Sequence, residues 1–320
     1  MKQSIKLILG GALLLAFPLF LTSCEDILGH WEKPTPAPVT PSSDAEPTML
    51  ETPLTLEAAE ANATVTFSAS SDDDGKTRTF EYSEDGGKTW NTATTSTTGF
   101  PITLANIGDK VMFRGANTAY AGMGYYNSIS CDKNCYVYGN VMSLINATSF
   151  ATDDNPTLTA EWTFTCLFYS YPYTGTGIKN HPNTAYTLEL PAITLTDKCY
   201  ANMFSSTCLT TAPKLPAITM KEQCYAGMFM GCKALETAPK LPATTLVKEC
   251  YANMFNECTN LKEAWVMADY TMSYDECQYM FDDCFNIGAA PTGTLHTAST
   301  SSHWAPGTDM PTNWQVKNDY

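Results

Sequence analysis

Cys199-Tyr-Ala-Asn-Met-Phe204, Cys224-Tyr-Ala-Gly-Met-Phe229, Cys250-Tyr-Ala-Asn-Met-Phe255 and Cys277-Gln-Tyr-Met-Phe281 are four writings of one phrase, at steps of 25, 26 and 27 residues. A second cysteine follows each (Cys208, Cys232, Cys258, Cys284), and Leu-x-Thr-Ala-Pro-Lys-Leu-Pro-Ala follows from Leu209 and from Leu235. A period in the twenties marks a solenoid, because a unit of that length cannot bury its apolar side alone and must stack on its neighbours.

Within a unit, Cys-Tyr-x-x-Met-Phe gathers apolar residues on one side of a short helix of about two turns. Leu-x-x-Ala then reads as a short extended piece. Pro-x-Leu-Pro is expected to end it, since proline does not join a parallel ladder from a central strand. The unit is therefore expected to run helix, strand, turn. Between Asn146 and Glu189 a degenerate first unit is expected, with Leu167-Phe168 in the Met-Phe positions, Thr163-Phe164 in the Cys-Tyr positions and Cys166 in the Asn column. The insertion from Tyr169 to Tyr186 is aromatic and rich in Gly, Pro and Asn, which suits a binding or a capping loop. His303-Trp304 and Met310 to Val316 suit a terminal strand covering the open end.

The paired cysteines leave two readings open. Their joint presence in the four full units favours pairing within a unit. Against it, eight helical residues set the Cα atoms about 12 Å apart, beyond disulfide reach. The spacings of 9, 8, 8 and 7 also differ. The other reading is a buried column of small apolar thiols.

From Pro53 to about Ile145 the period changes to two. Leu54-Leu56, Val65-Phe67, Thr79-Tyr82, Ile102-Leu104 and Val111-Phe113 alternate between turn residues such as Asp85-Gly86-Gly87, as expected for a small antiparallel, Ig-like sandwich. Cys131 and Cys135 are spaced for a local disulfide, with no histidine near in sequence to suggest zinc instead. Gly75-Lys-Thr77 and Gly87-Lys-Thr89 lack the earlier glycine of a phosphate loop, and Asp72-Asp-Asp-Gly75 lacks the spaced series and closing glutamate of a calcium loop.

Met1 to Ser23 is a short basic start, an apolar run and Leu21-Thr22-Ser23-Cys24. This reads as a secretory signal whose end resembles the bacterial lipobox, with Cys24 the residue that is diacylated and left as the new N-terminus. Glu25 and Asp26 behind it look like the surface-export signals of some Gram-negative lipoproteins. The Pro-rich stretch that follows, up to residue 52, reads as a semi-stiff tether. The formal charge of −15 becomes −17 once Lys2 and Lys6 leave with the signal, which disfavours nucleic-acid partners. The remaining 11 cysteines would meet an oxidising compartment, where pairing is the rule. Their number is odd, and Cys166, off the repeat's cysteine columns, is the candidate for the unpaired thiol.

Taken together, the repeats resemble the BspA-like leucine-rich-repeat surface lipoproteins in their Cys-Tyr-x-x-Met-Phe-x-x-Cys form. The likeness covers roughly residues 160 to 320. The sandwich, with Phe80-Glu-Tyr-Ser83, Gly87-Lys-Thr-Trp90 and Lys110-Val-Met-Phe-Arg-Gly115, is similar to modules such proteins carry in front. The fourth copy departs from the pattern at Ala264-Trp-Val and in its shorter cysteine spacing. The residues and the resemblance together lead to the expectation of an α+β multidomain protein: signal peptide 1–23, tether 24–52, Ig-like β-sandwich 53–145, and over 146–320 a leucine-rich-repeat array of α/β units with a degenerate first unit and a C-terminal cap. The resemblance implies a non-enzymatic outer-membrane lipoprotein of a Gram-negative bacterium, surface-exposed, held to the membrane by its acyl chains, and binding or adhering to an external protein or host ligand. The alternative is an accessory glycan-binding lipoprotein of a polysaccharide-capture system, using Tyr171, Tyr173, Trp265 or Trp304.

Strand alternation puts Thr211, Lys214, Thr237, Lys240, Lys262 and Glu263 outward as candidate ligand contacts, with Tyr171 and Tyr173 on the insertion. Cys131, Cys135, Cys199, Cys208, Cys224, Cys232, Cys250, Cys258, Cys277 and Cys284 are read as structural. No cofactor, metal or catalytic residue is expected, since His30, His181, His296 and His303 stand in no triad-like or metal-binding setting.

Overall fold

In a computed structural model the described residues are 48–73, 75–170, 177–268, 292–298, 304 and 310–320. The signal sequence, Cys24, the tether up to residue 47, Asp74, Tyr171, Tyr173, Cys277, Cys284 and His303 lie outside them.

The alternating stretches of the first half become strands, because every second side chain can leave water on one face of a pleated ribbon. They are β1 (Leu54–Ala58), β2 (Ala63–Ala69), β3 (Thr79–Ser83), β4 (Asn91–Thr94), β5 (Phe100–Leu104), β6 (Lys110–Arg114), β7 (Ala121–Gly122), β8 (Tyr125–Cys131) and β9 (Cys135–Asn140). One sheet has the order β9-β1-β6-β3-β4, and the other β5-β2-β8-β7. Leu54, Leu56, Phe80, Val111 and Phe113 from the first meet Val65, Phe67, Ile102 and Ile129 from the second in one core. The β3–β4 turn is tied by Asp85, which accepts from Thr89 N (2.9 Å), Thr89 Oγ1 (2.7 Å) and Ser83 Oγ (2.8 Å). Those hydrogen bonds, with the backbone amide of Thr89 foremost, hold its carboxyl down at about 2. Arg114 lies 4.0 Å over the Trp90 ring beside this turn. Asp72 accepts from Thr97 N and Oγ1, and Asp73 pairs with Lys76, so both carboxylates staple their loop.

β10 (Ile178–Asn180) and β11 (Leu188–Glu189) add to β9 in parallel. The array continues with β12 (Thr237–Leu241), β13 (Glu263–Val266), β14 (Thr294–Thr297) and β15 (Gln315–Lys317), a wholly parallel sheet in that order.

The α+β, helix-per-repeat fold expected from the sequence is overturned. The described residues contain no α-helix, only a 3-10 turn at Val141–Leu144, and the repeat phrase is a chain of overlapping β-turns. In the first full coil the N–H groups of Cys199, Ala201, Met203, Ser205 and Thr207 each close a turn on the carbonyl three residues back. The N–H groups between them, on Lys198, Tyr200, Asn202, Phe204 and Ser206, donate to Glu222, Cys224, Ala226, Met228 and Met230 of the next coil. An α-helix would spend all of its amides within the segment. Here half are exported, and they stitch coil to coil.

Every second turn carries a left-handed residue in its third position, as a type II turn requires. Lys198 (φ 58°), Asn202 (52°) and Ser206 (61°) hold it in one coil, Gln223 (54°), Gly227 (61°) and Gly231 (71°) in the next, and Glu249 (54°), Asn253 (54°) and Glu257 (59°) in the third. The true period is four, and the interchange of Asn and Gly in Ala-Asn/Gly-Met follows from it, since these residues tolerate that backbone best.

The stacked phrases bury two ladders of rings. Tyr200, Tyr225 and Tyr251 lie with centroids 5.7 and 6.1 Å apart, and Phe204, Phe229 and Phe255 with centroids 5.5 and 5.8 Å apart, all within 16° of parallel. The degenerate unit stacks in the same register. Phe164 N donates to Cys199 O and Phe168 N to Met203 O, Phe164 and Phe168 extend the two ladders, and Cys166 (φ 58°) fills the Asn column.

The tyrosine ladder runs on through Tyr120 (6.5 Å from Phe164) to Phe67 of the sandwich (5.6 Å further). Tyr120 N donates to Thr163 O and Ile129 N to Leu167 O across the joint. The sandwich and the array share one core and belong to one compact unit. At the far end Trp304, Met310 and Trp314 are buried.

Pro239 does not end its extended piece but sits inside β12, at the register shift between Thr237 and Lys240, where a missing N–H is tolerated.

Cys131, Cys135, Cys166, Cys199, Cys224 and Cys232 are thiols. Cys131 and Cys135 face each other as a hydrogen-bonded pair, which together with burial pushes the Cys131 thiol up. Cys199, Cys224 and Cys250 form one buried column, and burial pushes Cys199 up to about 12. In the second column the thiols donate to carbonyls of the preceding coil, Cys232 to Phe204 O (2.9 Å) and Cys258 to Phe229 O (3.0 Å). The first coil places Thr207, and not Cys208, in this column: Thr207 closes the turn on Phe204 as Cys232 does on Phe229, and its hydroxyl lies 3.3 Å from Cys232 Sγ. The nine-residue spacing from Cys199 to Cys208 is explained by that extra residue.

Candidate functional site

The sheet of the sandwich and the sheet of the array meet along β10, and the join is incomplete. At one end Cys208 N donates to Ile178 O (3.0 Å). Next, the Asn180 side chain takes the place of backbone, accepting from Thr210 N (2.8 Å) and Thr211 N (3.0 Å) and donating to Thr211 O (2.9 Å). After Asn180 the chain loops out and returns only at β11. Pro213 supplies no N–H to close the gap from the other side. The two walls separate into a cleft of about 510 Å³, lined by Tyr186, Thr187 and Glu189 on one side and by Thr210, Thr211 and Lys214 on the other, over Leu188 and Leu209. Its size falls in the range of small-ligand sites. Thr187 Oγ1 donates to Glu189 Oε1 (2.5 Å), which orients that carboxylate.

The outer wall is held by a compact polar and aromatic group. Glu57 accepts from Tyr138 Oη (3.0 Å), pairs with Lys110 (3.3 Å) and lies 3.7 Å from His181 Nε2. The Lys110 ammonium sits over the Tyr138 and Tyr186 rings at 5.7 and 5.5 Å, and the His181 ring lies 4.5 Å from that of Tyr186. Burial and the Glu57 charge raise the Tyr138 hydroxyl far above its usual range. With Lys110 and His181 against the Tyr186 ring, the wall is a built surface that orders the segment returning to β11.

Beyond the cleft the array sheet shows one face to solvent. Along β13 Glu263 and Trp265 alternate with buried Ala264 and Val266, and along β14 Thr294 and His296 with buried Leu295 and Thr297. Lys240, Trp265, His296 and Lys317 are successive partners across the four strands, so they form one row. Trp265 stacks on His296 (4.8 Å, 12°), whose Nδ1 meets Asp319 Oδ1 at 2.6 Å.

Of the candidates read from the sequence, Thr211 and Lys214 line the cleft, while Lys240, Lys262 and Glu263 are exposed and Thr237 half-buried on or beside the open face. Lys262 pairs with Glu236 (3.0 Å). Trp265 is half-buried and Trp304 buried, so only Trp265 of these two can meet a ligand. Tyr186, Glu189, His296 and Lys317 escaped sequence reasoning. The first two are brought to Lys214 by the break at Asn180, and the last two lie in coils that have lost the repeat phrase.

Among the described residues no three His, Cys, Asp or Glu side chains converge as a metal site would require. No family model matches the chain, and neither a curated protein nor a solved structure matches it.

Proposed function

We propose that this protein is a non-enzymatic surface lipoprotein, anchored through acyl chains on Cys24, that captures an external protein or host ligand on the open face of the array. The observation that carries the reading is the open parallel sheet. Parallel sheets are ordinarily covered on both faces, whereas this one turns Lys240, Glu263 and Lys317 to solvent. The repeated residues are spent on the core, so only the outward positions are free to encode a ligand. The Cys-Tyr-x-x-Met-Phe repeats keep the BspA-like family as the proposed kinship.

A second reading, an accessory glycan-binding lipoprotein, is favoured by the cleft. Its hydroxyl-bearing walls and oriented Glu189 carboxylate offer the donors and acceptors that sugar hydroxyls require.

A binding screen of the mature chain against extracellular proteins and glycans, run beside protease shaving of intact cells, tests both. Loss of the protein from shaved cells and at least one ligand whose binding fails in Lys240→Glu are expected. Resistance to shaving with no ligand in either panel would overturn the proposal.

A further inference from the structure

The chain carries a formal charge of −15, yet its open face carries a line of ammonium groups that pair with no carboxylate among the described residues. Among the described residues Lys76, Lys110, Arg114, Lys248 and Lys262 have acidic partners, while Lys88 and Lys133 stand singly on the sandwich with none among those residues. Lys214, Lys240 and Lys317 have none among the described residues and are exposed. They are in line. Lys240, Trp265, His296 and Lys317 form one row across the strands. Thr211 bridges Thr237, three residues before Lys214 and Lys240 respectively, so Lys214 extends the row to a fifth position at the mouth of the cleft.

Neighbouring strands lie about 4.8 Å apart, which sets Lys240 and Lys317 roughly 14 Å from each other with an indole and an imidazole between them. The Lys240 ammonium lies 5.6 Å over the Tyr320 ring, which holds it at the surface without cancelling its charge. Trp265 is fixed by the His296 ring, and that ring by Asp319. A polymer leaving the cleft and crossing the strands would therefore meet Lys214, Lys240, the half-buried indole of Trp265 and then Lys317, with the His296 ring tucked between the last two.

We infer that this row is a binding track for an anionic polysaccharide, one bearing carboxylate or sulfate groups along its chain. Separated cations suit charges carried by separate sugar units, and the indole between them suits the apolar C–H face of a sugar ring. A denser polyanion such as nucleic acid meets the repulsion of the whole acidic molecule. An extended peptide pairs with sheet edges rather than crossing the strands of an open face. The inference rests on the reading that the open face is the binding surface, and it names that surface's ligand.

The test uses the mature chain with heparin, polygalacturonate, poly-glutamate and neutral dextran as probes. Heparin and polygalacturonate should bind, and dextran should not. The double variant Lys240→Glu/Lys317→Glu should weaken both by about tenfold or more, while Lys88→Glu, an equal charge change per site on the sandwich, should stay within about twofold. Added salt should weaken binding, as screening of exposed charges requires. Trp265→Leu should weaken polygalacturonate but leave any residual poly-glutamate binding unchanged. Equal binding of poly-glutamate and polygalacturonate, or polyanion binding indifferent to the double variant, would overturn the inference. If no polyanion binds but a protein ligand from the screen is lost in the double variant, the open face stands as the binding surface and only the glycan assignment fails. If the double variant changes nothing in either screen, both fail.

Discussion

The sandwich and the array satisfy their buried backbones with different periods. In the sandwich each inner strand spends its amides on two neighbours and points alternate side chains inward, so β2 reads buried at every second residue and a single substitution is felt across one pair of sheets. In the array each coil spends alternate amides on its own turns and on the next coil, and its buried rings recur every four residues and stack on their own kind. A local change there is transmitted along a column. The sandwich tolerates most residues that fit a pleat, whereas the array needs left-handed residues at fixed places.

That difference is open to breakage. The largest effect is expected from Tyr225→Ala, which removes the middle ring of a fully buried stack and should cost about 3–5 kcal/mol by denaturant unfolding. Gly227→Ala comes next. The added Cβ would meet Asn202 Oδ1 at 2.3 Å and would sit at φ +61°, so a loss of about 2 kcal/mol or more is expected; a gain, as Gly to Ala gives in a helix, would contradict the turn stack.

The two cysteine columns should then separate. Cys232→Val removes the donor that Cys232 Sγ holds 2.9 Å from Phe204 O and should cost about 1–2 kcal/mol, while Cys199→Val loses only a 3.9 Å sulfur contact to Cys224 O and should cost less than about 1 kcal/mol. Equal losses would show that the columns are not chemically distinct.

The smallest effect belongs to the sandwich and appears as a pH dependence. The Asp85 carboxyl is lowered from 3.8 to about 2. Its contribution is therefore present above the unfolded value and is lost as pH falls through the folded one. Asp85→Asn should lower stability slightly at neutral pH and flatten the profile between those limits, the variant and the parent converging as pH falls through about 2.

Much of the sandwich was legible because period-two alternation maps directly onto a pleat: Leu54-Leu56, Val65-Phe67, Thr79-Tyr82, Ile102-Leu104 and Val111-Phe113 fall in β1, β2, β3, β5 and β6. The array was legible as a stack and misread as a helix. Cys-Tyr-x-x-Met-Phe fits a period of 3.6 nearly as well as a period of four over so few residues. What separates them is the left-handed residue, and Lys198, Gln223 and Glu249 carry no compositional mark of it. The open face was partly readable, through Lys214, Lys240 and Glu263. Its extension to His296 and Lys317 was not, because those residues enter the row only through strand pairing between coils whose sequences no longer match. The cleft could not be foreseen, since it depends on the Asn180 side chain standing in for backbone.

The central claim is that the repeat phrase is a stack of turns, and Asn253 tests it most directly because turn and helix predict opposite signs there. Its φ of 54° suits glycine best, then asparagine, and disfavours alanine, whereas helix propensity ranks alanine above asparagine and asparagine above glycine. Denaturant unfolding of Asn253→Gly and Asn253→Ala should find the glycine variant at least as stable as the parent and the alanine variant about 1 kcal/mol less stable. An alanine variant more stable than the glycine variant would contradict the turn stack and restore the helix.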